Sequence, residues 1–307
     1  SIGDKMKNIL SKILFLIVIV GLCYYVITDE NKLENNEVQK RAVEVQETIK
    51  ETANNLKVYF IDVGQADCTL IENNGEYVLI DAGNNRDGKK LVEYFKSLGI
   101  EKFKYVIGTH PHEDHIGGMD NIIKSFNIEH YLMPDLITPT PTFEEVLTQL
   151  ENKNIKYEVP EIDSTFKLKD AKFKVIFIDN DEEDMNNSSI VLKLTYKNIN
   201  YLFMADAEKK VEYQILNKDI KSNVLRVGHH GTKYATTKEF LNAVNPEYSI
   251  ISVGKNNDYG FPKEEVLNRI KNSGSRLFRT DTRGTIISTT DGANIAFETI
   301  RTDTNGD

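Results

Sequence analysis

The stretch Thr109-His110-Pro111-His112-Glu113-Asp114-His115 holds three of the chain's six histidines beside two carboxylates. Two more histidines, His229 and His230, follow each other in a second short segment. A single buried histidine is ordinarily satisfied by a backbone carbonyl, but three within six residues beside a carboxylate have little reason to lie in a core. Zinc is bound by imidazole and carboxylate groups. The stretch therefore predicts a metal centre.

The flanking residues place this stretch in a loop at the end of a strand. Residues 105–109 are predicted to form a strand, and Gly117-Gly118 opens a helix. Alternate side chains of an extended chain share a face, so His110 and His112 are expected to bind one metal ion. Where the chain turns into the helix, Asp114 and His115 are expected to reach a second ion.

Two later strand ends complete the predicted ligand set. Asp206 follows an apolar run and is predicted to bridge the two ions, because a buried carboxylate needs a compensating cation. A helix N-cap for the segment starting at Ala207 is the alternative role. In the run 227–232, His229 is predicted to be a ligand and His230 to bind substrate or support the site, with the reverse order left open.

Strand-like and helix-like runs alternate through the rest of the chain. Predicted strands span residues 57–63, 77–81, 105–109, 173–178, 190–196, 201–204, 224–227, 248–253 and 285–289. Predicted helices span residues 89–98, follow residue 118, and lie near residues 211, 240 and 266. These elements predict two sheets covered by helices.

The composition describes a globular chain without a global attraction to nucleic acid. The 307 residues are 40% hydrophobic and 28% charged, which fits one large domain or two small ones. Because the formal net charge is -9, any nucleic-acid contact would need a local patch. The two cysteines offer no disulfide framework.

The N-terminal region carries a membrane-targeting pattern. Lysines at positions 5, 7 and 12 precede an apolar stretch over residues 13–27, so residues 1–28 are predicted to be a signal anchor, or a cleaved signal peptide. Residues 29–55 are predicted as a polar linker, 56–300 as the domain that carries the predicted metal centre and 301–307 as a flexible tail. The positive-inside rule predicts an extracellular domain, membrane-anchored or secreted.

Several separated motifs resemble the metallo-β-lactamase superfamily. They are the His-x-His-x-Asp-His arrangement, Ile80-Asp81-Ala82-Gly83, Asp206 and the late His229. A finer resemblance, to the ComEC-like extracellular hydrolase domain, is carried in the same order by residues 60–67, 229–232, 252–257 and 280–286. The resemblance implies an α/β fold, the four-layer αββα sandwich. It also implies that Asp81 orients a metal-bound histidine and that Asp62 supports the site from outside the ligands; for Asp81 a strand-end turn with Gly83 is the alternative.

The sequence departs from the superfamily pattern in two places. No histidine lies between His130 and His229, where many members have a further ligand, so one metal is expected to have fewer protein ligands. Residues 186–188, Asn-Asn-Ser, occupy the position of that ligand. They are expected either to supply a polar contact to the site or to form a turn. Phe261 precedes a proline where ComEC-like domains tend to have histidine, so a group that would assist leaving-group protonation is missing.

The resemblance implies two divalent metal ions, zinc in the first place with manganese or iron as alternatives, that activate a water molecule. Asp114 and His230 are assigned catalytic roles. The residues assigned to substrate are His230, Thr232, Lys233, Lys255, Asn256 and Arg283. An aspartate at position 206 resembles the phosphodiesterase and thioesterase branches, so antibiotic hydrolysis is disfavoured.

The favoured function is an extracytoplasmic phosphodiesterase. The more specific hypothesis is a nuclease that resembles the ComEC-like domain. Its expected partners are a phosphodiester substrate, either DNA or an envelope polymer, and the membrane through the N-terminal segment; no stable protein partner is inferred. One alternative is a cell-envelope esterase acting on phosphorylcholine or teichoic-acid diesters. The other is a catalytically silent envelope protein that retains the fold.

Overall fold

Two β-sheets face each other across a shared apolar core in the computed structural model, which describes residues 55–180 and 184–301. The predictions for the signal anchor, most of the linker and most of the tail lie outside the described residues. Within the described ranges, no helix is both long and apolar enough to span a bilayer.

The first sheet has eight strands in the order β15-β14-β1-β2-β3-β4-β5-β6. Strands β3 to β6 are parallel to one another, and the other pairs are antiparallel. The bounds are β1 Leu56–Phe60, β2 Thr69–Asn73, β3 Glu76–Ile80, β4 Lys102–Ile107, β5 Asn127–Leu132, β6 Tyr157–Glu158, β14 Thr285–Thr290 and β15 Ile295–Ile300.

The second sheet has seven strands in the order β13-β12-β11-β10-β9-β8-β7. Strands β10 to β13 are parallel, and β7 to β10 form antiparallel pairs. The bounds are β7 Thr165–Leu168, β8 Ala171–Phe177, β9 Val191–Tyr196, β10 Ile199–Phe203, β11 Val224–Arg226, β12 Tyr248–Ile251 and β13 Arg276–Arg279.

Helices cover the outer face of each sheet. Those described are α1 Gly88–Ser97, α2 Glu113–Ile116, α3 Met119–Ser125, α4 Pro141–Asn152, α5 Lys209–Ile215, α6 Lys238–Val244, α7 Glu264–Asn272 and α8 Thr280–Arg283. Helices α1, α3 and α4 bury an apolar stripe against the first sheet, and α5, α6 and α7 against the second. A third cluster, containing Phe60 and Phe203 among others, fills the space between the sheets. The predicted four-layer αββα sandwich is therefore confirmed.

Six strands were missed by the sequence reading: β6, β7, β13 and β15 lie at sheet edges, β5 lies next to an edge, and β2 lies inside the first sheet. β15 alternates half-buried and exposed residues, and β5 begins with four residues that are not fully buried. Because their outward faces meet water, these strands lack the continuous apolar runs that marked the central strands. Helix α4 was also missed, although Thr140 caps it by accepting a hydrogen bond from the Phe143 backbone N–H and Pro141 opens it.

The topology brings the predicted site residues to one edge of the sandwich. The histidine stretch follows β4, Asp206 follows β10, and the histidine pair follows β11. The carboxyl ends of parallel neighbouring strands lie at the same edge of a sheet, which is where α/β proteins place their sites. Loops of the first sheet interlock there, since the backbone N–H of Ala82 donates to His115 O at 2.7 Å and that of Asp67 to Asp114 O at 3.0 Å. The second sheet joins them through the backbone N–H of Ile190, which precedes β9 and donates to Thr109 O at 3.0 Å.

Candidate metal centre

His115 is held at the centre of the site by Asp81. Its Nδ1 lies 2.8 Å from Asp81 Oδ2, and Asp81 also accepts hydrogen bonds from the backbone N–H and the hydroxyl of Thr109, at 2.9 and 2.8 Å. A histidine whose Nδ1 is held in this way presents Nε2 to a partner on its other side. The structure thus places Asp81 where the resemblance implied that it orients a histidine, while Asp81 also begins the turn after β3 that contains Gly83.

His115 and three other side chains lie close together at the end of the sandwich. One ligand atom from each of Asp114, His115, Asp206 and His230 lies within 4.8 Å of the others. His115 Nε2 is 3.3 Å from Asp206 Oδ1, and His230 Nε2 is 3.2 Å from Asp114 Oδ2. We call these four residues the His/Asp group. It draws on loops of both sheets, so it forms only when the sandwich closes.

His110 and His112 form a second pair beside this group. His110 Nε2 lies 3.0 Å from His112 Nδ1, and the His110 and His115 rings are 4.1 Å apart between centroids. Two nitrogens bound to one zinc at a tetrahedral angle are about 3.4 Å apart for bonds of about 2.1 Å. The pair is therefore close enough to share an ion, as the alternation of side chains predicted.

The structure separates the two neighbouring histidines of the second segment. His230 is 1% exposed and its Nδ1 donates to the Ser252 carbonyl at 2.8 Å. His229 lies outside the His/Asp group: its Nδ1 contacts Glu208 Oε1 at 2.9 Å and its Nε2 is 3.6 Å from Asp206 Oδ2. Which of the two is the ligand stays a prediction, and the geometry favours His230 over the His229 that the sequence reading preferred.

Backbone strain at this pair supports a functional role. His229 and His230 have φ angles of 45° and 51°, in the left-handed region that non-glycine residues adopt at a cost of about 1–3 kcal/mol each. Two such residues in succession turn both imidazoles toward the same edge of the sandwich, His230 inward to Asp114 and His229 toward the cleft.

Burial and neighbouring charges shift the pKa values of the histidines and aspartates at this site. Burial opposes protonation of His115, but Asp206, Asp81 and Asp114 outweigh it and raise its pKa well above the usual value. Burial likewise opposes ionisation of Asp206, yet neighbouring histidines hold its pKa well below its usual range. Burial lowers the pKa of His110, so this imidazole is held neutral. The group therefore combines ionised carboxylates with imidazoles whose protons a metal ion would displace.

A buried ion pair supports the group from behind, and the sequence reading missed it. Arg226, 3% exposed, forms a salt bridge with Asp67, and also donates to the Ala205 carbonyl. Asp67 Oδ1 lies 3.7 Å from His230 Nδ1. The available signal was an arginine at the end of the buried strand Val224–Arg226, where an unpaired charge would be costly.

The stretch that replaces the missing histidine forms a turn and also contacts the site. Residues Met185–Ser188 are a single 3-10 turn. Asn187 Oδ1 accepts a hydrogen bond from the Glu208 backbone N–H at 3.1 Å, and Ser189 Oγ accepts one from Asp206 N at 3.2 Å. Both alternatives considered for this stretch are thus present. The N-cap alternative for Asp206 is wrong, because α5 begins at Lys209 with Glu208 as its N-cap residue.

A cleft of about 350 Å³ opens onto the centre. Its walls are formed by Gln65, His112, Glu113, Asp114, Asn186, Asp206, His229, His230, Tyr259 and Phe261. Of the residues predicted to bind substrate, His230 lines this cleft. The others lie outside its walls: Thr232 is buried, Lys233 covers the Tyr234 ring and Arg283 covers the Phe278 ring, whereas Lys255 and Asn256 are exposed.

The surroundings of Asp62 differ from the prediction, and two aromatic residues of the cleft were not predicted. Asp62 Oδ1 accepts a hydrogen bond from the Gly64 backbone N–H at 3.1 Å, which closes the turn after β1. Tyr259 and Phe261 line the cleft but were not predicted to. The available signal was Phe261 before Pro262, the second of the two departures from the pattern that the ComEC-like resemblance implies.

The donor set fits divalent metal ions. His115 Nε2 and Asp206 Oδ1 are buried without a hydrogen-bond partner, although buried polar atoms are nearly always paired. An ion between them would satisfy both atoms and replace the protons that the imidazoles otherwise hold. Imidazole with carboxylate suits zinc, and also iron or manganese, so the geometry fits a divalent ion without identifying it.

The fold and the His/Asp group together define a metal-dependent hydrolase. Residues 61–255 match the family described as "Metallo-beta-lactamase superfamily", and the chain belongs to this superfamily.

The similar proteins also confirm the finer resemblance. The chain is 31% identical over 251 residues to "ComE operon protein 3" of Bacillus subtilis, covering 75% of this chain and 32% of that protein. It is 31% identical over 236 residues to "Recombination protein 2" of Haemophilus influenzae, covering 74% of this chain and 28% of that protein. The chain thus spans about a third of the length of these relatives. Among solved structures, the metallo-beta-lactamase fold protein YhfI from Bacillus subtilis shares the fold, with a TM-score of 0.53, 10% identity and coverage of 80% of this chain and 100% of that one.

Proposed function

We propose that the chain is a phosphodiesterase that cleaves nucleic acid with two divalent metal ions, zinc in the first place, bound at the histidine and aspartate cluster. The observation that carries this proposal is the convergence of Asp114 and Asp206 with His115 and His230 within 4.8 Å. Phosphodiester hydrolysis builds negative charge on the phosphoryl oxygens, so a site that concentrates cations suits it. The aspartate at position 206 adds support, because it resembles the phosphodiesterase branch.

The relatives support nucleic acid as the substrate. One similar protein is named for recombination, a process that acts on DNA. The apolar N-terminal stretch that follows three lysines supports a position outside the cytoplasm for the domain.

Two sets of residues are proposed to bind the two metal ions. The His/Asp group would hold one ion, and His110 with His112 the other. Bound ions would polarise a water molecule and the phosphoryl group.

Hydrogen bonds at Nδ1 fix the orientation of the His115 and His230 imidazoles. Asp81 fixes the ring of His115, and the Ser252 carbonyl fixes that of His230, so neither imidazole has to reorganise when substrate arrives. Glu208 holds His229 with its Nε2 toward Asp206 at the cleft wall.

The test combines metal analysis of the purified full chain with turnover of three substrates: a generic phosphodiester, single-stranded DNA and a phosphorylcholine ester. We expect transition metal to copurify and the DNA to be cleaved. His112→Gln should lower turnover by about a hundredfold or more. The matched control is His130→Gln, since His130 lies away from the cluster, beside Glu158 and stacked on Tyr105.

Three results would contradict the proposal. They are less than about one bound metal per chain together with no turnover, equal loss in both histidine variants, or turnover of the phosphorylcholine ester alone.

A further inference from the structure

An aromatic pair forms one wall at the mouth of the cleft. The Tyr259 ring stacks on the Phe261 ring with centroids 5.4 Å apart and planes 18° from parallel. Phe261 in turn meets the His229 ring edge-on at 5.8 Å. We call Tyr259 and Phe261 the aromatic platform. A lone exposed tyrosine is ordinary on a protein surface, but these rings line the same cleft as Asp114 and Asp206, and Tyr259 is 64% exposed.

The loop that carries the platform is held in place before any ligand binds. Asn257 donates through Nδ2 to the Gly254 and Phe261 carbonyls at 2.9 and 2.7 Å, and its Oδ1 accepts from Phe261 N at 2.9 Å. Lys263 donates through Nζ to the Tyr259 carbonyl at 2.7 Å and through its backbone to Gly231 O at 2.9 Å. A ligand that stacks on rings fixed in this way loses little free energy to ordering the loop.

We propose that the aromatic platform stacks a nucleobase next to the cleaved phosphodiester, so that the substrate is a single-stranded nucleic acid. This step rests on the proposed phosphodiesterase function. Every base has a flat π-face that an aromatic ring can stack, and a base in a duplex is not free to do so. The position suits this role because the rings and the His/Asp group share one cleft.

Charge at the platform favours a base over a quaternary ammonium group. The Lys263 ammonium lies 5.3 Å from the centroid of the Phe261 ring, so a choline head group on this wall would meet a like charge. A neutral base avoids that repulsion. The same ammonium also adds positive charge near an incoming phosphate.

Two more basic residues, Arg86 and Lys255, lie outside the cleft walls but close to the turn that carries Gln65. A guanidinium nitrogen of Arg86 lies 3.5 Å from where a Cβ on Gly64 would stand, and Gly254, which precedes Lys255, packs against the Gln65 backbone. The Arg86 guanidinium and the backbone beside Lys255 thus both lie close to the turn that presents Gln65 to the cleft. They offer positive charge near the cleft, of the kind that an acidic chain would need for phosphates, although Asp87 lies 3.9 Å from Arg86 Nε. Glu113 on the cleft wall and Asp258 in the platform loop offset part of this charge, so stacking should supply most of the selectivity.

The absence of tryptophan from the chain makes the platform directly observable. Tyr259→Trp keeps a stacking ring and introduces the sole tryptophan fluorophore of the protein. The full chain is titrated with oligothymidylate and with an oligonucleotide of equal length built from abasic sugars, first without metal and then with it. We expect quenching of the tryptophan, and binding about tenfold tighter, with the base-bearing oligonucleotide. Tyr213→Trp is the matched control, because Tyr213 lies on α5 outside the cleft walls and is 52% exposed; its fluorescence should not respond.

Truncation then tests the role in turnover. Tyr259→Ala should raise KM about tenfold for the base-bearing oligonucleotide, with kcat little changed and abasic cleavage unaffected, while Tyr213→Ala should leave both substrates unaffected. Equal quenching by both oligonucleotides, equal loss on both substrates, or stronger quenching by phosphorylcholine would each overturn the platform.

The two proposals fail separately. Selective quenching without any cleavage upholds the platform and counts against the phosphodiesterase. Cleavage of both oligonucleotides with no selectivity in wild type counts against the platform alone.

Discussion

Asp206 and Glu212 are two buried carboxylates on either side of the start of helix α5, with 1% and 0% of their surfaces exposed, and their pKa values shift in opposite directions. Glu212 receives the backbone N–H groups of Thr236 and Thr237, and burial still raises its pKa. Burial would raise that of Asp206 as well, but the surrounding imidazoles lower it well below its usual range.

The difference lies in what each carboxylate faces. Glu212 is satisfied by fixed backbone donors that tie the start of α6 to α5, which is a structural use. Asp206 has an oxygen with no hydrogen-bond partner and histidines around it, which is an arrangement that a cation completes. Burial alone therefore does not mark a functional carboxylate; the donors around it do.

Asp206→Asn is the change with the largest expected effect. The amide keeps the size of the side chain but removes the charge that a metal needs, so turnover of the substrate that wild type cleaves should fall by about a hundredfold to a thousandfold. Bound metal, measured by elemental analysis, should fall with it. Full activity in this variant would remove the bridging role predicted for Asp206, even if hydrolysis by the wild type were established.

Asp81→Asn should have the next largest effect. The amide nitrogen would face the donors on His115 and Thr109, so the His115 ring would lose its fixed orientation, and metal affinity should fall by about 10- to 100-fold. Competition with a chelator measures this loss. Asp120→Asn, on the outer helix α3 and bonded to Asn121, should bind metal as wild type does. An unchanged affinity in Asp81→Asn would leave Asp81 with only its role in the turn after β3.

Glu212→Ala should lower the free energy of unfolding and leave metal binding unchanged. The buried N–H group of Thr236 and the partly buried one of Thr237 would lose their acceptor, which costs about 1–3 kcal/mol of the free energy of unfolding. Denaturant unfolding measures this change, and metal content per folded molecule should match wild type. Glu239→Ala, at an exposed site in the first turn of α6, should change stability by less than about 0.5 kcal/mol. A loss of bound metal in Glu212→Ala would abolish the distinction between the two carboxylates.

The layered fold and the histidines were accessible from the sequence for a common reason. The central strands are buried on both faces, so they form continuous apolar runs, and the histidine stretch places its chemistry within seven consecutive residues. Local patterns carry that information without knowledge of the fold. Edge strands such as β15 share their residues with solvent and leave no comparable pattern.

The features of the site that could not be predicted from the sequence depend on contacts between distant segments of the chain. Arg226 meets Asp67 only because β11 in one sheet ends opposite the turn after β1 in the other. The different positions of the His229 and His230 side chains depend on two left-handed backbone angles, which cannot be read from the sequence because histidine adopts such angles infrequently. Asp206 and Glu212 look alike in the sequence for the same reason: the groups that face each one come from elsewhere in the chain.

The smallest expected effect is the pH dependence that Glu212 contributes. A carboxyl group whose pKa is raised in the folded state binds its proton more tightly there than in the unfolded chain, where the value is near 4.5. Its contribution is therefore fully present below about pH 4.5 and declines as the pH rises through the folded pKa. The stability gap between wild type and Glu212→Ala should be widest near pH 4.5 and narrower at pH 7, as urea unfolding of the metal-free proteins at both values would measure. Glu239→Ala should show no such narrowing. A gap that widens toward pH 7 would mean that the two backbone donors outweigh burial at Glu212, and that both carboxylates are held ionised.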